Sequence, residues 1–246
     1  MDRYEKFANL KKLTDRIGTV YGTEDFAVYL YSLVKMTRPK TALELGTGLG
    51  STALWAALAL EENEHGVIHT IDNGSEWHTM RGIDSIVGEF YRKDYADYVK
   101  NLISHFELHN HINFINDTIS DAYVNEIDIL FCDYSHGPHA VTKLIADYLL
   151  KMTSNSFIFI DSASTYYPSY QLLESMVAQL NSGKIPLTLR EMVDRDKLHI
   201  FQDRVMNTKF ELTHLIENKN RNQNSTTQIK LIPIDIMPQP RVNIRF

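Results

Sequence analysis

Apolar residues recur along this chain with two alternating periods. Phe7, Leu10, Leu13 and Ile17 mark one face of a helix over 3–17, and Phe26, Leu30, Leu33 and Val34 give an i, i+4, i+7, i+8 stripe for a second. Gly18 and Gly22 separate the two, Thr23 suits an N-cap with Glu24 and Asp25 in the first turn, and Pro39 marks the stop. From Thr41 onward, short β-prone runs of the kind buried parallel strands show alternate with helical stripes. Strands are predicted at 41–45, 67–72, 112–116, 127–133 and 156–161, with helices at 50–61, 93–107, 138–151 and 169–181. Tyr95, Val99, Leu102 and Phe106 form one of those stripes; Val141, Leu144, Ile145 and Tyr148 form another. Such alternation specifies an α/β doubly wound, mostly parallel sheet with helices on both faces.

After Gly183 and Pro186 come two further β-prone runs, Leu187–Val193 and Leu198–Asp203, joined by Asp-Arg-Asp-Lys. Only a hairpin turn fits four residues, so this pair is predicted to be antiparallel and to complete a seven-stranded sheet. The stretch 217–227 is polar and turn-rich and reads as a linker. The tail from Gln228 alternates apolar and polar but holds three prolines, which suits an edge strand or an arm. The division expected is a domain over 1–206 with its N-terminal helices, then an extension over 207–246. The stretch 73–92, about twenty residues where a short loop would do, is expected to form a lid or binding loop.

Strand 41–45 runs into Gly46, Gly48 and Gly50 and then a helix. Glycines that dense serve a turn that must bend sharply or admit a close neighbour, and the helix N-terminus offers outward N–H groups to a polar ligand. A dinucleotide fingerprint would place glycine at 51, where the chain has Ser51; glycine at 50 and an acid at Glu44 suit the other large class of nucleoside-cofactor sites. Asp72, at the end of the next strand, can accept from both ribose hydroxyls.

Composition narrows the partners. The 246 residues are 43% hydrophobic and 23% charged, enough for a sizeable core. A net charge of -6 argues against a nucleic-acid surface. One cysteine, Cys132, permits no intrachain disulfide, the first residues are charged rather than apolar, and no run is long enough for a membrane span, so a reducing, cytoplasmic setting is expected.

The stretch from Gly22 to Asp203 resembles the class I S-adenosylmethionine-dependent methyltransferases, within them the small-molecule O-methyltransferases of the catechol and caffeoyl-CoA type and their relatives with Asp-x-x-His after strand four. The residues that carry it are TALELGTGLGSTALWAA, Asp72, FINDTISDA and Asp133-Tyr134-Ser135-His136. That resemblance implies a Rossmann-like methyltransferase fold and S-adenosylmethionine as cofactor. Glu44 would stand near the methionine amino group, Gly46, Thr47, Gly48 and Gly50 would pass the cofactor, Asp72 with Asn73 would hold the ribose, Asp117 with Thr118 the adenine, and Asp133 would line the methionine and the acceptor.

A sulfonium methyl is already activated, so an O-methyltransferase has mainly to align its acceptor, exclude water and take up a proton through a base or a metal. His136 is the expected base, with Asp133 and Asp161 as the other catalytic candidates. Trp77, Phe90, Tyr91, Tyr166, Tyr167 and Tyr170 could wall a dry pocket. The metal-dependent branch of the family has Asp followed by Asn at the end of strand five; here Ser162 follows Asp161, which sets a divalent ion in doubt. His105, His109 and His111 lack partner acids and read as surface. The function expected is methyl transfer to oxygen on a small molecule; the alternatives are a cofactor-binding regulatory module without turnover, and a nicotinamide-dependent oxidoreductase, which Ser51 disfavours. A homodimer through the C-terminal arm is one assembly the tail allows.

Overall fold

In the computed structural model, residues 1–18, 24–80, 82–119, 124–217 and 225–236 are described. Two helices come first, α1 (Arg3–Ile17) and α2 (Glu24–Thr37), and then a seven-stranded sheet begins with β1 (Thr41–Leu45). Its other strands are β2 (Val67–Ile71), β3 (Ile112–Ile115), β4 (Ile127–Cys132), β5 (Met152–Asp161), β6 (Thr208–Ile216) and β7 (Ser225–Pro233), in the spatial order β3-β2-β1-β4-β5-β7-β6. The first five are mutually parallel, whereas β7 is antiparallel to both β5 and β6. Between the strands run α3 (Ser51–Glu62), α4 (Ile83–Val87), α5 (Tyr95–His105), α6 (Pro138–Tyr148) and α7 (Tyr167–Asn181), followed by α8 (Leu187–Met192) and α9 (Leu198–Met206).

One core lies on each face of the sheet, because alternate residues of a strand point to opposite sides. Ala42, Ile68, Ile129, Phe131 and Phe159 meet α1, α2, α3 and α5; Leu43, Leu45, Leu130, Cys132 and Ile158 meet α6, α7 and α9. Strands buried on both sides read as continuous apolar runs, which is what made β1, β4 and β5 visible in the sequence. Helix α3 is buried all round from Ser51 to Leu60, its alanines allowing close approach to the sheet.

Two corrections concern the C-terminal third. Residues 187–192 and 198–206 are helical, because Leu198, Phe201 and Val205 follow a helical spacing that turns one face inward, and Pro186 caps α8. The antiparallel hairpin exists, but β6 and β7 make it. Consequently no boundary falls at 206: the stretch set apart as an extension supplies two strands of the sheet, and β7 lies inside it with β6 at the edge. Of the polar stretch 217–227, Ser225, Thr226 and Thr227 belong to β7 and pair with β5 and β6. Thr23 and the tail beyond Ile236, to which a cap and an arm were assigned, lie outside the described residues, as do 218–224. The long 73–92 connection is folded, with α4 and a 3-10 turn at Gly88–Phe90. Among the described residues no helix is long and apolar enough to cross a membrane.

Candidate cofactor site

Parallel strands end together, and the loops leaving their C-terminal ends enclose a cavity of about 490 Å³ over β1, β2, β3 and β4. Its floor is the glycine turn. Gly46, Gly48 and Gly50 all have positive φ (97°, 52° and 78°), and a Cβ on Gly46 would stand 3.0 Å from the backbone oxygen of Asp133. Glycine there lets β1 and β4 leave the sheet side by side.

Acids ring the space. Glu44 is buried within β1, and the Thr70 hydroxyl from β2 donates to its carboxylate. Burial pushes its pKa up to about 8, partly opposed by the Thr70 hydrogen bond, with the Asp72 charge pushing the same way as burial. Asp72 ties two turns together, accepting from the Gly48 N–H at 3.0 Å through Oδ2 and from the Gly74 N–H at 2.8 Å through Oδ1. Asp117, just past β3, is exposed at the far end and accepts from the Thr118 N–H at 2.7 Å.

Asp133 follows β4 and Asp161 ends β5. Their carboxyls are within hydrogen-bonding reach of each other; Asp161 is a buried residue, whereas Asp133 is exposed on its cavity side with its carboxyl surrounded by protein atoms. The Asp133 side chain opens onto the cavity, whereas Asp161 is 2% exposed and accepts from the Ser162 hydroxyl at 2.7 Å. Burial, and then the Asp161 charge, hold Asp133 well above the usual carboxylate range; burial raises Asp161 as well, against the Ser162 hydrogen bond and the nearby His136 ring. Two facing carboxyls in such a place share a proton.

The side wall is aromatic. Trp77, from the connection after β2, is 2% exposed; it stacks on Tyr98 at 4.5 Å and on Tyr91 at 5.9 Å, and its indole N–H donates to the Arg92 carbonyl at 3.2 Å. Tyr95 donates to the Gly48 carbonyl at 2.9 Å, and Tyr98 to that of Leu49 at 2.9 Å, so α5 holds the glycine turn from behind. Gly74, at φ 67°, passes so close to the Tyr95 ring that a Cβ would lie 2.4 Å from it.

The family model described as a methyltransferase domain matches residues 43–163, from β1 through β5. Residues 43–163, 121 of the chain's 246, are thus similar to a methyltransferase domain. Solved structures with the same fold include the O-methyltransferase TomG of Streptomyces achromogenes, in complex with SAM, at 12% identity and a TM-score of 0.52, covering 94% of this chain and 91% of that one. An O-methyltransferase from Bacillus cereus, in complex with SAH, gives 12% and 0.52 over the same shares, 94% and 91%. The SAH-bound methyltransferase PaMTH1 of Podospora anserina gives 11% and 0.50 over 89% and 86%. No curated protein sequence matches the chain.

Within the matched stretch, Glu44, Gly46, Thr47, Gly48, Gly50, Asp72, Asn73, Asp117, Thr118 and Asp133 all line the one cavity. His136 and Asp161 are not among its lining residues: His136 is exposed, its ring edge-on to Tyr166 and its carbonyl accepting from the Ser169 hydroxyl at 2.5 Å. Of the aromatic candidates, Trp77 lines the cavity and Tyr91 stacks against it; Phe90 is core, Tyr166 and Tyr167 are exposed, and Tyr170 packs on His214. Cys132 is a buried free thiol, raised to about 12 by that burial. Among the described residues no group of three His, Cys, Asp or Glu could hold a metal, and Asp161 already spends one oxygen on Ser162. The donor set therefore does not fit a resident divalent ion.

Sequence reasoning missed Ile17, Met80 and Tyr95 as lining residues. Ile17 and Tyr95 had been counted in helical stripes; each closes its helix's apolar face where that face overhangs the cavity, so periodicity alone assigns them to core.

Proposed function

We propose that the chain transfers a methyl group from S-adenosylmethionine to an oxygen of a small-molecule acceptor. The observation that carries this is the charge of the cavity: Glu44, Asp72, Glu76, Asp117 and Asp133 line it, and no Lys or Arg does among the described residues. A dinucleotide's pyrophosphate would meet the charged Asp72, Glu76 and Asp117 and, among the described residues, no cation, whereas a ligand bearing a sulfonium and an ammonium suits them and can draw the protons from Glu44 and Asp133. S-adenosylmethionine supplies, when bound, a methyl group already activated by positive sulfur.

The rest falls to the protein. Glu44 receives the ammonium, Asp72 the ribose hydroxyls, and Asp117 with Thr118 the adenine edge. Trp77 and Met80 cover the site and keep water out. Asp133 takes the role of base in preference to His136, because it opens onto the cavity and Asp161 behind it can share the proton. The direct test is calorimetry on the purified chain: S-adenosylmethionine and S-adenosylhomocysteine should both bind, and Asp72→Ala should weaken both. Unchanged affinity in that variant would overturn the assignment. Tight cofactor binding beside silence across a panel of hydroxyl acceptors would favour the non-catalytic module instead.

A further inference from the structure

Asn73 is the one asparagine of the sequence that glycine follows, and it lines the cofactor cavity just past β2. An asparagine side chain can be attacked by the backbone nitrogen of the next residue, and glycine in that place has no side chain to hinder the approach. Here the fold demands the glycine. Gly74 has φ 67°, and a Cβ would lie 2.4 Å from the Tyr95 ring, so no bulkier residue can replace it without displacing α5. A dipeptide prone to self-reaction is thereby kept at the edge of the site.

Three contacts prepare the attack. The Gly74 N–H donates to Asp72 Oδ1 at 2.8 Å, so a carboxylate stands at the proton that the nitrogen must lose. The Ser75 N–H donates to Asn73 Oδ1 at 3.0 Å, which polarises the amide carbon and steadies the oxyanion that forms on it. The carboxylate is itself fixed from the other side, where Asp72 Oδ2 accepts from the Gly48 N–H at 3.0 Å. Asn73 is exposed, so water reaches whatever forms there.

We propose that Asn73 is a deamidation site, at which Asp72 and the Ser75 N–H promote ring closure onto Gly74 in the free protein and a bound cofactor blocks it. The Gly74 nitrogen passes its proton through Asp72 to the departing amide and bonds to Asn73 Cγ. The Cγ–Nδ2 bond breaks, and ammonia leaves with that proton. The succinimide left behind takes up one water and opens at either carbonyl, giving aspartate or isoaspartate at position 73, with nothing oxidised or reduced. Either product sets a new carboxylate among Asp72, Glu76 and Asp117. Isoaspartate also lengthens the main chain by a methylene inside the turn that Asp72 ties together. The chemical step stands by itself, whereas its arrest by the cofactor rests on the methyltransferase reading above, in which the ribose occupies Asp72 and Asn73.

The test is peptide mapping by mass spectrometry, with isoaspartate scored, on the full chain held in warm, mildly alkaline buffer. Asn73 should convert ahead of Asn155 and Asn181, which are exposed and followed by serine. Asp72→Asn, which keeps an oxygen for the Gly74 N–H but no base, should slow conversion about tenfold or more, and Asp72→Ala should slow it too. A turn that merely restrained Asn73 would be loosened in Asp72→Ala and convert faster. S-adenosylhomocysteine at about ten times its Kd should slow the wild type about tenfold, since only the free fraction reacts. Converted protein, separated by ion exchange, should bind S-adenosylhomocysteine about tenfold or more weakly. Asn73 left intact while Asn155 or Asn181 converts, faster conversion in Asp72→Ala, or an unchanged rate with S-adenosylhomocysteine bound would each overturn the proposal. Failure of the cofactor reading looks different: Asn73 would still convert, and more slowly in both variants, but S-adenosylhomocysteine would not bind.

Discussion

Glu44 should give up a proton when the cofactor binds. Its carboxyl is buried and held at about 8, so at pH 7 it is about 0.9 protonated in the free protein. An ammonium group placed against it favours the carboxylate and pulls the pKa back toward its ordinary value of 4.5. Binding of S-adenosylhomocysteine at pH 7 should then release up to about 0.9 proton from this residue. Isothermal titration in two buffers of different ionisation enthalpy, such as phosphate and Tris, measures that number directly. Asp133 is also held high and can release a proton of its own, so the decisive comparison is with Glu44→Gln, in which the release should fall by nearly the whole Glu44 share. A release that this variant leaves unchanged would refute the assignment of the ammonium to Glu44. The same residue marks the stability of the free protein. Its folded pKa lies above its unfolded one, so the folded chain binds more protons between pH 4.5 and 8, and stability falls as pH rises through that window. The gap corresponds to about 5 kcal/mol at most, and Glu44→Gln should flatten the profile there in urea unfolding.

Other consequences follow from particular contacts. Gly74→Ala forces a methyl into the Tyr95 ring at a backbone angle that costs roughly 1–2 kcal/mol for an L-residue, so both the melting temperature and S-adenosylhomocysteine affinity should drop. Trp77→Ala removes a buried indole stacked on Tyr98 and should cost about 3–5 kcal/mol in urea unfolding, with cofactor binding weakened as the cover is lost. Calorimetric titration of Mg²⁺ or Ca²⁺ into the cofactor-saturated chain should give no binding heat attributable to Asp133 and Asp161; heat that disappears in Asp133→Asn would refute the metal-free reading of the pair.

Local signals explain why the residues gathered around the first cavity were legible in the sequence. The glycine turn, Glu44, Asp72 and Asp117 each sit at or beside a strand end, and strand ends in a parallel sheet are forced together, so position along the chain nearly determines position in space. The region between α2 and the terminal hairpin offered no such shortcut. Phe26 and Tyr29 belong to a helix whose stripe looks like any core stripe, and Leu215 and Thr226 come from strands that were assigned elsewhere. That misassignment arose because the leucines and Val193 of 187–193 and Ile200 and Phe201 of 198–203 fit a strand by composition, although Leu198, Phe201 and Val205 recur at helical intervals. The true strand 208–216 shows Phe210 and Leu212 in alternation, a signal hidden by its polar neighbours. His136 illustrates a different limit: its place after β4 was foreseeable, but its direction depends on Tyr166 and Ser169, some thirty residues away in sequence.

The place of β7 between β5 and β6 also bears on synthesis. Every residue assigned to the cofactor has left the ribosome by Tyr134, yet the outer edge of β5 stays unpaired until Ser225–Pro233 arrives, roughly seventy residues after Asp161. Through that interval the nascent chain presents Phe157, Ile158, Phe159 and Ile160 along an open strand edge, a template for pairing with another chain. Aggregation during production should therefore be set by the interval before β7 docks, and a chain cut after Met206 should aggregate even though its whole cofactor motif is present.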